Sequence, residues 1–190
     1  MVEPAAATKS RSTPQRRRRI WRESHGLTDT GLVREGNEDA LLLLEEADLY
    51  VVADGMGGHA CGEVASAFTI EAIRAFYESE DITRRVRDAC GRRTGASRLA
   101  FHALRLRKAV ESANLSVFRL AQEHEQLRDM GTTVVAVAFA GSRIYVANVG
   151  DSRVYRLRDG ALEQLTEDHS LLNEYIKLNL LQPQEIEEFP

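Results

Sequence analysis

Three short clusters that combine acidic residues with glycines are the part of this sequence best suited to chemistry. They lie at residues 37–39, 54–59 and 150–153. Carboxylate and carbonyl oxygens are the ligands that Mg²⁺ and Mn²⁺ prefer, and a few suffice because Mg²⁺ usually keeps several waters. The glycine after Asp54 lets the backbone turn sharply and offer its own carbonyl oxygen. Since the clusters lie at the ends of predicted strands, they predict one shared site for divalent cations.

Other catalytic signatures are absent from the sequence. It contains no P-loop pattern, no His-Glu-x-x-His pattern and no Gly-x-Ser-x-Gly elbow. Neither Cys61 nor Cys90 has an arginine six positions later, which excludes a phosphate clamp built on cysteine. A single Asp-Gly pair is usually an ordinary turn, and we interpret Asp159 and Gly160 as one. The Met-Gly-Gly-His sequence that follows Asp54 and Gly55 is a poor turn, which favours a functional interpretation there.

The elements that must position these clusters follow from the apolar pattern. It predicts strands over residues 40–46, 49–53, 132–140, 143–149, 154–157 and 161–165, with turns at 47–48, 141–142 and 158–160. It predicts helices over residues 62–80, 99–127 and 170–181. Residues 32–33 suggest the start of a strand, and the weakly patterned residues 84–95 are expected to include a loop. Because two helices lie between groups of strands and do not alternate with them, we expect an α+β fold with antiparallel sheets.

The composition is that of an ordinary globular protein of about one domain. Of the 190 residues, 43% are hydrophobic and 28% charged. No apolar stretch approaches the roughly 20 residues that a membrane span needs, so we expect no membrane-spanning segment. The two cysteines form no close pair and no apolar leader segment is present, so we expect a cytoplasmic protein with reduced thiols.

Charge is distributed unevenly along the chain. Residues 1–23 have a net charge of +5, whereas residues 24–190 have a net charge of −9. Because the first segment has almost nothing to bury, we expect residues 1–23 to form a disordered basic tail before one domain over residues 24–190. The tail is either a solvated leader or, through the arginines at 16–19, a contact for an anionic surface or nucleic acid. The acidic body argues against nucleic acid as the main partner.

Five segments, in this order, resemble the signatures of the metal-dependent protein phosphatases, the type-2C serine/threonine class in its bacterial form. They are residues 29–39, 52–59, 62–66, 130–133 and 149–153. The resemblance covers about residues 25–190. It implies an α-β-β-α sandwich, in which two antiparallel sheets are flanked by helices and a metal centre lies between the sheets. It also implies a serine/threonine phosphoprotein phosphatase whose substrates are phosphoserine and phosphothreonine proteins, modified by a cognate serine/threonine kinase.

The resemblance implies a set of metal ligands for two Mn²⁺ or Mg²⁺ ions. Asp54 resembles the carboxylate that bridges the two ions, and Gly55 resembles the residue that offers its backbone carbonyl. Glu38 resembles a ligand of one ion, partly through water. Asp151 resembles the residue that helps to hold a third, weaker ion in bacterial members.

The same resemblance implies roles beyond the metal ligands. Arg34 resembles the guanidinium that grips the substrate phosphate, and Asp39 resembles the carboxylate that accepts a hydrogen bond from metal-bound water. His59 lies where a general acid is conceivable, but a loop-structural role is the alternative. We expect His169 to be structural.

The family pattern continues with Ser-Asp-Gly and Asp-Asn motifs, whose aspartates bind metal, and neither motif occurs in this sequence. We therefore expect the chain to end inside the fold, in the flap region, leaving the sandwich incomplete at the C-terminus. On that basis this polypeptide should bind metal and turn over substrate poorly. The alternative function is a catalytically impaired pseudophosphatase, or a regulatory module that binds phosphoproteins.

Overall fold

The computed structural model describes residues 21–57, 61–91 and 95–169 of the chain. Its elements are β1 (Asp39–Leu44), β2 (Leu49–Met56), α1 (Cys61–Glu78), α2 (Glu80–Ala89), α3 (Gly95–Glu123), β3 (Gly131–Thr132), β4 (Val134–Ala140), β5 (Arg143–Val149), β6 (Tyr155–Arg158) and β7 (Ala161–Gln164). Every strand pairing is antiparallel. The α+β class predicted from the sequence is therefore confirmed.

The strands form a five-stranded sheet and a separate two-stranded sheet. The large sheet has the order β1-β2-β4-β5, and β3 extends the pairing of β2 at its C-terminal end. The turn between β4 and β5 contains Gly141 at φ +64, and the turn between β6 and β7 contains Asp159 and Gly160 at φ +53 and +78. Both central residues have positive φ in the β6–β7 turn, and only Gly141 has it in the β4–β5 turn; positive φ at the first central residue suits the twist of a two-residue hairpin. The strands on both sides of each turn pair in antiparallel register, so both predicted hairpins are confirmed.

One face of the large sheet packs against the helices. Successive strand residues point to opposite faces, so only every second residue of β1, β2 and β4 reaches α1 and α3. On the helix side Leu42 and Val51 are 1% and 2% exposed, whereas on the other side their neighbours Leu43 and Val52 are 38% and 45% exposed. Burying a large apolar side chain contributes about 1.5–3 kcal/mol, so the helix-covered face supplies most of the packing energy. This core contains Leu42, Leu44, Leu49, Val51, Ala53, Ile70, Ile73, Phe76, Leu106, Ala109, Ala113, Val134, Ala136 and Ala138.

Helix α2 occupies residues 84–89 of the weakly patterned segment, and the described residues Cys90 and Gly91 follow it outside any helix. The side chain of Ser79 caps this helix by accepting a hydrogen bond from the Ile82 amide at 3.3 Å. Val86 is the one buried residue of α2. The pattern was weak because arginines occupy the remaining turns, although Ser79 followed by two acidic residues is an N-terminal helix signal.

Three further details differ from the sequence predictions. Residues 32–33 form part of a turn and no strand, and both side chains are almost fully exposed. The turn at 47–48 includes a short 3₁₀ helix, Glu45–Ala47, followed by Asp48 at φ +53. The predicted strand over residues 132–140 is interrupted at Thr133. Of the remaining predictions, the helix over residues 170–181 and the loop residue His59 lie outside the described residues.

The chain near the start of the described residues contacts the large sheet. Arg22 Nη1 donates a hydrogen bond to Asp48 Oδ1, and its guanidinium lies 5.0 Å from the centre of the Phe139 ring. Residues 1–20 of the predicted basic tail lie outside the described part of the chain. The division of the chain at residue 24 stays a prediction.

The longest helix, α3, has 29 residues. It carries a run of charged side chains in its middle, including Arg105, Arg107, Lys108 and Glu111. None of the helices in the described part of the chain combines the length and the apolar character needed to cross a membrane.

Candidate active site

The carboxylates of Asp39 and Asp54 are brought together by strand pairing. The two residues lie directly opposite each other in the β1–β2 register. The Gly55 amide donates to the Glu38 carbonyl at 3.0 Å, so the neighbouring Asp39–Asp54 pair is one without backbone hydrogen bonds between the strands. Side chains approach most closely in such pairs, and like charges there are destabilising. The fold therefore holds two carboxylates together against their repulsion.

The surroundings of Asp54 raise the pKa of its carboxyl group above its usual range. Partial desolvation by the surrounding protein is the largest cause, and the negative charges of Asp39 and Asp151 add to it. The positive charge of Arg34 acts in the opposite direction. Asp39, Asp151 and Arg34, predicted from three motifs, therefore lie close enough to Asp54 for their charges to act on its carboxyl group. The excess of negative charge there favours a bound cation.

A backbone contact lies on the helix side of the same strand end. A Cβ atom at Gly55 would lie 2.0 Å from the Gly62 carbonyl oxygen, and one at Gly62 would lie 2.7 Å from the carboxyl group of Glu38. The end of β2 and the first turn of α1 therefore touch backbone to backbone, which only glycine allows at both positions. The Glu38 carboxylate lies beside that first turn, where the helix dipole favours negative charge.

The sequence predicted that the clusters at residues 37–39 and 54–59 form one shared site, but the side chains of Glu38 and Asp54 leave their strand ends in different directions. Glu38 pairs with Gly55 through the backbone, and its side chain lies on the helix side of the sheet. Asp54 is the next residue along from the buried Ala53, so its side chain lies on the other face with that of Asp39. Strand ends that are adjacent in the sheet thus place these two carboxylates on opposite faces, because the side-chain period of a strand is two.

The loop that carries Asp151 is held by the segment after β7. The His169 amide donates to the Gly150 carbonyl at 3.0 Å, and the Gly150 amide donates to His169 Nδ1 at 3.3 Å. Asn148 Nδ2 donates to the Glu167 carbonyl at 2.8 Å. Gly150 has a φ of +95, a conformation that L side chains rarely adopt. His169 therefore has the structural contacts expected for it, since it fixes the position of the Asp151 loop.

Arg34 lies in an exposed loop that leads into β1. Gly31, at φ +75, donates its amide to Asp29 Oδ1 at 2.7 Å, which closes a turn before the arginine. After the arginine, Asn37 Oδ1 accepts the Asp39 amide at 3.0 Å, and Asn37 Nδ2 donates to Thr28 Oγ1 at 2.8 Å. The Asp and Asn of this motif therefore shape the loop on both sides of Arg34.

The donor atoms fit a hard divalent cation in their chemistry. Asp39, Asp54 and Asp151 supply carboxylate oxygens, and Gly55, the residue after Asp54, has a backbone carbonyl that faces the first turn of α1. Within residues 21–57, 61–91 and 95–169, no three Asp, Glu, His or Cys side chains converge tightly enough to hold an ion. The site is therefore a cluster of oxygen donors and not a closed cage.

Sequence reasoning missed three residues that shape this site. Thr133 contacts both Asp54 and Ser152, and Gly62 contacts both Gly55 and Glu38. All three residues (Gly62, Thr133 and Ser152) stand inside the quoted motifs, where they carried no assigned role. The available signal was their type, since a glycine at a helix start and hydroxyls beside acidic residues are typical of close backbone contacts and local hydrogen bonds.

Comparison with known proteins gives a consistent result. The family model described as protein phosphatase 2C matches residues 33–188. The serine/threonine protein phosphatase PstP of Mycobacterium tuberculosis (strain H37Rv) is 36% identical over 163 residues, which cover 86% of this chain and 28% of that protein. The serine/threonine phosphatase stp of Listeria monocytogenes (strain EGD-e) is 37% identical over 153 residues, which cover 79% of this chain and 56% of that protein.

Solved structures agree with this result. The crystal structure of the Mycobacterium tuberculosis phosphatase PstP/Ppp matches 85% of this chain and 61% of its own, with a TM-score of 0.64 and 35% identity. A bacterial serine phosphatase matches 86% of this chain and 62% of its own, with a TM-score of 0.66 and 32% identity. These matches confirm the α+β sandwich that the resemblance implied. In each of these four matches the chain spans less than two thirds of the length of the matched protein or chain.

Proposed function

Because the chain belongs to the protein phosphatase 2C family, we propose that it acts as a metal-dependent serine/threonine phosphoprotein phosphatase. The observation that carries this proposal is that Asp39 lies directly opposite Asp54 in the β1–β2 register, where the charges of Asp151 and Arg34 also act on Asp54. Metal-dependent hydrolysis of a phosphomonoester uses oxygen ligands for cations and a positive group for the phosphate. The grouped residues provide both.

We propose that Asp54, the carbonyl of Gly55 and Asp151 bind metal, and that Glu38, whose carboxyl group lies beside the first turn of α1, contributes to one ion through water. Two Mn²⁺ or Mg²⁺ ions are the proposed cofactors, with a third and weaker ion at Asp151. A structure described as the catalytic domain of PstP with two manganese ions supports this assignment, at 35% identity and a TM-score of 0.61 over 83% of this chain and 60% of that chain. When bound, such a metal pair supplies a water of lowered pKa as the nucleophile and stabilises charge on the phosphoryl oxygens.

The chain's own side chains would orient the substrate and the attacking water. Arg34 is suited to bind two phosphate oxygens at once, because the planar guanidinium presents paired donors that lysine lacks. Asp39 would accept a hydrogen bond from the attacking water. The Asn37 contacts fix the start of β1 and with it the backbone position of Asp39. No phosphorylated enzyme intermediate is needed.

The proposed substrates are phosphoserine and phosphothreonine proteins that a cognate serine/threonine kinase has modified, and the proposed location is the cytoplasm. The names of the relatives, which are serine/threonine phosphatases, support the substrate class. Free Cys61 and Cys90 are compatible with a reducing compartment. We also propose that residues 24–190 are the phosphatase unit and residues 1–23 a basic tail.

The test is Mn²⁺-dependent hydrolysis of p-nitrophenyl phosphate by the complete product of the gene that carries this sequence. Asp54→Asn should reduce the rate by more than tenfold, because the charge that holds the cations is lost. Asp159→Asn is the matched control, since Asp159 lies in the β6–β7 turn, and it should keep the parental rate. A rate above one tenth in Asp54→Asn would contradict the metal assignment. Binding of a phosphopeptide without turnover would favour the regulatory-module alternative.

Arg34 is tested separately by steady-state kinetics on the same substrate. Arg34→Ala should raise KM more than it lowers kcat, because the guanidinium contacts the phosphate in the bound substrate as well as in the transition state. Arg34→Lys should recover only part of the loss, since lysine cannot bind two oxygens in parallel. An unchanged KM in Arg34→Ala would make Arg34 an ordinary surface residue. Arg143→Ala, on the exposed start of β5, controls for general charge.

A further inference from the structure

Thr133 makes an unusual pairing with Asp54. The pairs on both sides of it follow the same antiparallel register: Val52 pairs with Val135, and Gly55 pairs with Thr132. Residues paired by hydrogen bonds in antiparallel strands normally exchange two backbone bonds. Here the Thr133 amide donates to the Asp54 carbonyl at 2.8 Å, but the Asp54 amide donates to Thr133 Oγ1 at 3.1 Å. The second backbone bond is thus replaced by a bond to a side-chain hydroxyl.

The same hydroxyl also reaches the loop that carries Asp151. Thr133 Oγ1 lies 2.7 Å from Ser152 Oγ, and Ser152 is the residue after Asp151. The oxygen of Thr133 accepts from the Asp54 amide, and either hydroxyl hydrogen can close the second bond. A continuous chain of hydrogen bonds therefore joins the backbone of Asp54 to the neighbour of Asp151, two carboxylates that are 97 positions apart in the sequence.

Packing reinforces this link from the other side of the loop. A Cβ atom at Gly150 would lie 2.7 Å from Thr133 Cγ2 and 2.9 Å from Thr133 Cβ. The methyl group of Thr133 therefore occupies the space that a side chain at position 150 would need. The loop rests directly on Thr133, so any displacement of this side chain displaces the residues that flank Asp151.

We propose that Thr133 is a positioning residue, whose hydroxyl sets the spacing between the carboxylates of Asp54 and Asp151. The site can hold cations only if these two carboxylates keep their separation. Asp54 belongs to β2, whereas Asp151 belongs to the loop after β5, so a contact between these two elements must hold them in place. The proposal rests on the metal-binding role proposed above for both carboxylates. It adds that the role depends on a residue that touches neither metal nor substrate.

The decisive pair of variants is Thr133→Val and Thr133→Ser, measured by calorimetric titration with Mn²⁺. Valine keeps the shape against Gly150 but removes the hydroxyl, whereas serine keeps the hydroxyl. Loss of a group that orients a metal ligand typically costs about 10- to 100-fold in metal affinity, so we expect that loss in Thr133→Val and near-parental affinity in Thr133→Ser. Thr83→Val is the control, because Thr83 accepts a hydrogen bond from Arg105 at 3.1 Å on α2, outside the site.

Ser152→Ala provides a second route to the same conclusion. It should weaken Mn²⁺ binding in the same direction, and the double variant with Thr133→Val should be no weaker than Thr133→Val alone. Such non-additivity is expected when two residues act through one interaction. Additive losses would overturn the proposal, as would equal affinities for Thr133→Val and the parent protein. If Thr133→Val fails to fold, Ser152→Ala still decides the question.

Hydrogen exchange in the absence of metal separates this proposal from the proposed function. Thr133→Val should speed amide exchange both at Asp54 and in residues 150–153, because one hydroxyl holds both. A purely local role would change exchange at Asp54 alone, and that result would refute the positioning role. If the parent protein binds no Mn²⁺, the proposed function fails, but the exchange result still shows whether Thr133 joins the two segments.

Discussion

The two faces of the large sheet differ although the same strands build both. On the helix side, alternate residues of β1, β2 and β4 are closed into an apolar core, as the 1% exposure of Leu42 illustrates. On the other side the exposure is larger for most of their neighbours in the described part of the chain: Val52 is 45% exposed, although its partner Val135 is 7% exposed. The alternation continues to the strand ends, where it places Gly55 against α1 and Asp54 on the open face. Packing and chemistry are therefore assigned to alternate residues of one strand.

This difference shows how the fold tolerates a cluster of like charges. The backbone contact between Gly55 and Gly62 ties the end of β2 to α1 without using any polar side chain. On the opposite face the pKa of Asp54 is raised, chiefly by partial desolvation and further by repulsion from the carboxylates of Asp39 and Asp151. Because the packed face supplies the stability, the open face can hold an arrangement that is unfavourable in the absence of a cation. Substitutions on the two faces should then have separable effects.

The largest expected effect is on the packed face. Leu49→Ala should lower the free energy of unfolding by about 2–5 kcal/mol, because Leu49 is fully buried in the helix-side core. The matched change on the open face, Val52→Ala, should cost no more than about 0.5 kcal/mol. Urea denaturation followed by circular dichroism measures both. An equally large loss in Val52→Ala would show that the open face is covered in solution and would break the comparison.

A smaller effect is expected where the packed face reaches the site. Gly55→Ala should destabilise the chain by roughly 3 kcal/mol or somewhat less, because its Cβ would lie 2.0 Å from a backbone oxygen that cannot move without shifting α1. Gly36→Ala is the control, since a Cβ at Gly36 meets nothing within 4 Å and Gly36 is not among the glycines with positive φ. The midpoints of thermal unfolding should separate the two variants, and equal midpoints would mean that β2 and α1 are not held by this contact.

The sequence predicted those parts of the fold that depend on local patterns. The turns at Gly141 and at Asp159 are encoded by residues that accept positive φ, and the strands beside them alternate clearly. The helix α2 was missed because only Val86 among its residues is buried, so its apolar pattern is too sparse to recognise. Local signals therefore sufficed for hairpins and failed for a surface helix.

The sequence named residues of the candidate site but not their arrangement. The motifs singled out Asp39, Asp54 and Asp151, whose charges influence one another in the structure, and their metal-binding role stays a prediction. The separation of Glu38 from Asp54 depends on which strand face each residue occupies, and the role of Thr133 depends on a register that the sequence does not reveal. Contacts between segments far apart in the chain need the assembled sheet, so spacing alone could not supply them.

The smallest expected effect lies on the open face and has the opposite sign. Asp39→Asn should raise the free energy of unfolding of the metal-free chain by about 0.2–1 kcal/mol at pH 7, because it removes a like charge directly opposite Asp54. Asp159→Asn should change it little, since Asp159 occupies an exposed turn and asparagine also accepts positive φ. Thermal unfolding with a chelator present measures this gain, and the same substitution should weaken Mn²⁺ binding.

The pH dependence of this gain tests its cause. The pKa of Asp54 is raised in the folded chain, whereas an unfolded aspartate has a pKa of about 3.9. The folded state therefore binds the proton more tightly, and the penalty for charging Asp54 is absent below about pH 3.9 and grows as the pH rises through the higher folded value. The advantage of Asp39→Asn should accordingly disappear near pH 3 and be complete at pH 7. A gain that persists unchanged at pH 3 would arise from packing and not from repulsion. The open face would then not be the face on which charge repulsion lowers stability.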